Sequence, residues 1–145
     1  MSRKKVIFLL LLIFIAVAIT VSILFAVNRR HTDWVMDAYV AALENAKASF
    51  SDYQETGSDS SYTKGVTALN DAVQIILTEG ERLEIYQERQ TLMASCSILS
   101  AHPSSIDDNI SMLLSAIDRI IKEPHRRVSY GELLGFYNTC NHSTD

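Results

Sequence analysis

The sequence predicts an all-α protein: a single N-terminal transmembrane helix followed by a small antiparallel bundle of about four to five helices. Three observations carry that prediction. Residues 6–27 form a run of 22 positions without a charge, almost all Val, Ile, Leu, Phe or Ala. The segments after it repeat apolar residues at intervals of three and four, the period of one helix face. No segment alternates apolar and polar residues between hairpin turns, so no strand pattern competes.

The apolar run is long enough to cross a bilayer. At about 1.5 Å per residue it covers roughly 33 Å. Thr20 and Ser22 interrupt it, and both side chains can bond back to helix carbonyls. A cleaved signal peptide is the competing reading, with Arg3, Lys4 and Lys5 as its basic start and Ala16-Val17-Ala18 as a small-x-small cleavage site. The run continues past Ala18 through Ile19, Ile23, Leu24, Phe25 and Val27. That exceeds the roughly 7–15 apolar residues of a signal core and favours an uncleaved anchor. Three basic residues precede the span and two, Arg29 and Arg30, follow it. The positive-inside rule therefore places the N-terminus in the cytoplasm and the remainder outside, a single-pass cell-membrane topology. Ala18, Ser22 and Ala26 fall four apart on one face, a small-xxx-small pattern suited to self-association of the span.

The expected organisation is a cytoplasmic tail at 1–5, the span at 6–27, a juxtamembrane linker at 28–32, a helical bundle at 33–140 and a disordered tail at 141–145. Trp34 either anchors at the membrane interface or opens the bundle core. The first bundle helix carries Trp34, Met36, Val40, Leu43 and Phe50 on one stripe, with Val35, Ala42 and Ala46 beside it. Thr56-Gly57-Ser58-Asp59-Ser60-Ser61 is a polar loop. The second helix has Tyr62, Val66, Leu69, Val73, Ile76 and Leu77 on a clean stripe. A break near Gly80 separates it from a weaker third helix over residues 82–101. Without that break, a 40-residue return helix of about 60 Å would overrun a first helix of about 35 Å and meet the bilayer. The fourth helix opens with Ser105-x-x-Asp108, which resembles a capping box, and closes with an Asp118/Lys122 pair at i,i+4. The fifth opens with Ser129-x-x-Glu132, a full capping box.

This order of ascents and descents puts Cys96 and Cys140 at similar heights, so a Cys96–Cys140 disulfide is expected in an oxidising compartment. Two separate buried thiols are the alternative. The same order brings Arg126 and Arg127 to the membrane-proximal end, where they and Arg29 and Arg30 meet anionic headgroups; a solvated turn is the alternative.

Composition narrows function without naming it. From His31 to Asp145 the chain holds 8 basic and 17 acidic residues, a net charge of −9. Nucleic acid is excluded as a partner on charge grounds. The two cysteines lack metal-ligand or thioredoxin spacing, and the four histidines have no pair at helical ligand spacing. No metalloprotease, phosphate-loop or nucleophile-elbow pattern occurs, so no catalytic, cofactor-binding or metal residue is assigned and an enzyme is not expected. The Asn109-Ile110-Ser111 and Asn141-His142-Ser143 sequons are read as chance matches. An N-terminal span, an external helical domain and two cysteines give a layout that resembles phage inner-membrane spanins in architecture alone. The Gly and Pro breaks and dense apolar stripes suit a compact bundle instead of a long rod.

The leading expectation is a membrane-anchored interaction or scaffolding protein. Its partners are the lipid bilayer and another membrane or envelope protein, or a second copy of itself. The alternative is an extracytoplasmic ligand-binding or sensory domain, which would act through a membrane partner. A ligand-sized polar cavity between helices would favour the second, and a solid core with an exposed apolar patch the first.

Overall fold

In the computed structural model, which describes residues 3–85, 88–101 and 103–142, every regular element is helical. The elements are α1 (Arg3–Thr56), α2 (Asp59–Glu79), α3 (Arg89–Ala101), α4 (Ile110–Lys122) and α5 (Gly131–His142), with short 3-10 turns at Pro103–Ile106 and Arg127–Tyr130. The chain divides into two units, Met1–Trp34 and Val35–Asp145.

The first unit is helical and has no core of its own. From residue 8 to residue 30 every described side chain is exposed. The Thr20 and Ser22 hydroxyls donate to the carbonyls of Ala16 and Ala18, at 2.9 and 2.8 Å, which removes their polar cost in an apolar setting. One helix, α1, is long and apolar enough to cross a membrane. Residues 28–32 are helical and belong to α1. They hold no Gly or Pro to break it, and the Thr32 hydroxyl bonds back to the Asn28 carbonyl at 3.0 Å.

The second unit is an up-down-up-down-up bundle. Lys47 meets Asp118 while Gln54 meets Ser111, so α1 and α4 run antiparallel. The Tyr62 hydroxyl, near the start of α2, donates to the Leu99 carbonyl near the end of α3 at 2.5 Å, so these too are antiparallel. Glu88 just before α3 faces Arg127 just before α5, so α3 and α5 run parallel. Val35, Tyr39, Ala42, Leu43, Ala46 and Phe50 from α1 fill one side of the core. Opposite them lie Leu69, Val73 and Ile76 of α2, Leu92 and Leu99 of α3, Leu113 and Ile117 of α4, and Leu133 and Phe136 of α5. The α1 stripe is rotated from the expected one. Tyr39 lies fully buried, whereas Trp34 is 66% exposed and does not open the core.

The connection between α1 and α2 is tighter than expected. α1 ends at Thr56 because Gly57 adopts φ +66°, and its N–H bonds the Tyr53 carbonyl at 2.8 Å. Asp59 already begins α2, which leaves little of the expected polar loop. At Gly65 α2 passes so close to α1 that an added Cβ would lie 2.8 Å from the Phe50 ring. The break near Gly80 is present. It is longer than expected: Leu83 and Ile85 lie buried in a turn, and α3 starts only at Arg89. Glu84 there has φ +59°, and the Ile85 N–H closes onto the Gly80 carbonyl at 3.1 Å.

Neither expected capping box forms as such. α4 starts at Ile110 with Asn109 before it, and Ser105 lies in the preceding 3-10 turn. Glu132 turns away from Ser129 to accept from Arg119 and, at 3.1 Å, from Ser115. A guanidinium on the neighbouring helix offers a charge-assisted bond that a backbone N–H does not match. The Ser129 hydroxyl is left buried without a partner. The Asp118–Lys122 pair forms at 2.5 Å, and Lys47 joins it from α1 at 2.5 Å. Asn141 and His142 belong to α5; the remainder of the expected tail, 143–145, lies outside the described residues.

Candidate interaction face and the α3–α5 cavity

The least ordinary surface of the second unit is the outer side of α3. Residues 90–101 contain no charged side chain, a property they share with residues 133–144. Gln90, Met93, Ser97, Ser100 and Ala101 are exposed on it. The sequence pattern of this segment is weak because the polar residues 87–91 interrupt its apolar positions. Two depressions flank it. Towards α2, Leu77, Met93, Cys96, Ser97 and Ser100 line an open groove of about 240 Å³. Towards α5 lies a larger cavity of about 450 Å³, reached by Glu88, Thr91, Ala94, Tyr130, Leu134 and Tyr137.

Under that larger cavity sits a buried polar contact. The Tyr39 and Tyr130 hydroxyls meet at 3.0 Å, and Tyr130 also donates to the Pro124 carbonyl at 3.0 Å. Burial pushes Tyr130 up to about 12; the bond from Tyr39 opposes this and the Glu88 charge adds to it. Burial likewise holds Tyr39 well above the ordinary tyrosine range, helped by Tyr130 and Glu88. These contacts fix the 123–130 turn against the end of the bundle where Val35 enters. The turn at 80–85 joins the same end through His125 Nδ1, 3.2 Å from the Leu83 carbonyl.

The residues singled out from the sequence are distributed as follows. Arg126 and Arg127 are exposed at that Val35 end, paired with Glu123 at 3.2 Å and Glu88 at 3.6 Å. Arg29, Arg30 and Trp34 are exposed in the first unit, with Trp34 stacked on His31 at a ring separation of 6.1 Å. Ala18, Ser22 and Ala26 share a shallow depression edged by Phe14, Ile15, Ile19 and Ile23. Cys96 and Cys140 are both buried, without a bond between their sulfurs. Both lie near the Tyr62 hydroxyl, whose pKa is raised by burial first, then by Tyr53, Asp107 and the two cysteines. Burial also pushes the Cys96 thiol up, against a bond from Ser100. Among the described residues no three His, Cys, Asp or Glu side chains converge as a metal site.

Sequence reasoning missed Tyr39 and Glu88. Tyr39 was findable: it stands four residues from Val35 and four from Leu43, on one helical face. Glu88 carried no signal, because its burial depends on a turn whose length the sequence did not reveal. No family model, curated protein or solved structure matches this chain.

Proposed function

We propose that this protein is a single-pass membrane-anchored interaction module that presents its helical bundle to another envelope protein. Its N-terminus lies in the cytoplasm and its bundle outside, a reading supported by the basic residues flanking the apolar run. The observation that carries the interaction is the outer face of α3. Interface centres are depleted in charged side chains and enriched in Met. Residues 90–101 have that composition, with Leu77 and Leu134 exposed at the two edges. On a domain of net charge −9, this face also lets a second acidic surface approach without repulsion. In the oxidising compartment this topology implies, Cys96 and Cys140 are candidates for a bridge between α3 and α5.

Co-purification from solubilised native membranes tests the reading. Ser97→Arg places a charge at the centre of the face, at an exposed position where the fold tolerates it. It is expected to abolish recovery of the partner while thermal unfolding stays unchanged. Recovery of the same partner in undiminished amount would contradict the α3 interface.

A second reading, an extracytoplasmic ligand-binding domain acting through a membrane partner, is favoured by one observation, the cavity between α3 and α5.

A further inference from the structure

We infer that the cavity between α3 and α5 binds a small organic cation, an ammonium carried on a compact apolar body, with Glu88 as its counter-ion. This rests on the second of the two readings above, and its test does not involve the protein partner of the first.

Glu88 is the reason. Its side chain is only 13% exposed. A carboxylate covered to that extent needs a close charge-assisted partner to offset lost hydration. Among the described residues its ion-pair partner is Arg127 Nε at 3.6 Å, beyond hydrogen-bonding distance, on a side chain that is 83% exposed. Arg127 can swing into water because its own side chain is already largely solvated and makes no hydrogen bond to Glu88. An incoming ammonium takes its place at hydrogen-bond length.

The rest of the cavity specifies the body of the ligand. Ala94 and Leu134 supply apolar surface, and the partly exposed Tyr137 lines the same space, with the buried Tyr130 behind it. Aromatic rings and a carboxylate together form the usual surroundings of an organic cation. A volume of about 450 Å³ suits a molecule of metabolite size. The Tyr130 hydroxyl is already engaged with Tyr39 and Pro124, so it holds the wall in place. The field of an acidic domain raises the local concentration of cations and lowers that of anions. Carboxylates, phosphates and nucleotides are therefore selected against.

Calorimetric titration of the full chain in lipid nanodiscs tests this with three probes of similar shape: phenethylamine, 2-phenylethanol and 3-phenylpropionate. Phenethylamine is expected to bind saturably with a Kd on the order of 1 mM or tighter, while the neutral and anionic probes show no saturable binding. Glu88→Gln is expected to weaken phenethylamine by about tenfold or more, the loss of one charge-assisted contact. Arg127→Ala, which leaves Glu88 intact and removes its competitor, is expected to tighten it severalfold. Absence of saturable phenethylamine binding by the natively unfolding wild-type chain would overturn the proposal. So would equal binding of the anionic probe, or an affinity weakened by Arg127→Ala.

Discussion

Ser129 separates a local from a tertiary account of this chain most sharply. As the first residue of a Ser-x-x-Glu capping box, its hydroxyl would satisfy an orphan N–H of the last helix, and Ser129→Ala would cost about 1 kcal/mol. In the fold, Glu132 is drawn to Arg119, and the Ser129 hydroxyl is buried without a partner. Removing an unsatisfied buried hydroxyl relieves a desolvation cost of about 1–3 kcal/mol. Ser129→Ala is therefore expected to raise the urea midpoint; a lowered midpoint would restore the capping box. Tyr39 makes a pH-dependent counterpart. Tyr39 and Tyr130 both have folded pKa values raised above the unfolded one, so their stabilisation is complete below pH about 10. It is lost as pH rises from there towards the folded values, about 12 for Tyr130. Tyr39→Phe is expected to cost about 1 kcal/mol at neutral pH by losing one buried hydrogen bond. It should also flatten the fall in stability above pH about 10, because one fewer hydroxyl ionises on unfolding. An unchanged alkaline slope in denaturant titrations would contradict this.

At the level of elements, the contact between α1 and α2 depends on Gly65. A side chain there would strike the ring of Phe50, which is fully buried and has no room to yield. Gly65→Val is expected to destabilise the bundle by about 1–3 kcal/mol through overpacking, despite the poor helix propensity of glycine. Thermal unfolding measures it; a stabilised variant would mean that α1 and α2 are further apart. The sequence revealed the helices and their buried faces where periodicity was strong, in α2 and α4, and the break at Gly80 followed from helix length against bundle height. It did not reveal that Leu83 and Ile85 pack from a turn. Buried apolar residues at short spacing look alike in a helix and in a coiled connection, and the left-handed Glu84 that distinguishes them is not a residue type that announces it. The α1 stripe expected from Trp34, Met36 and Val40 is rotated in the fold, and of the two alternatives for Trp34 the core one does not hold. Its neighbour Val35 faces inward instead. The α3 face, the centre of the proposed function, was visible in composition but was read as weak amphipathicity.

For the molecule as a whole, the anchor and the bundle make separate demands. Retention in the membrane rests on residues 6–27, which hold no charged group, so it is independent of the tyrosine ionisation that weakens the bundle at high pH. Membranes washed at alkaline pH are expected to keep the full-length chain. Release of a soluble fragment beginning near Ile19 would instead indicate cleavage after Ala18. Protease added to intact cells is expected to reach the bundle, and protection there with cleavage in inverted vesicles would reverse the proposed topology. The interaction claim is tested most directly by site-specific photocrosslinking in native membranes. A photoreactive residue at Ser97, at the middle of the charge-free face, is compared with one at the exposed Glu55 near the end of α1. The account predicts a discrete crosslinked product from Ser97 that is absent from Glu55 and from Ser97 probes carrying Met93→Arg. Equal crosslinking from both positions, or none from Ser97, would contradict it.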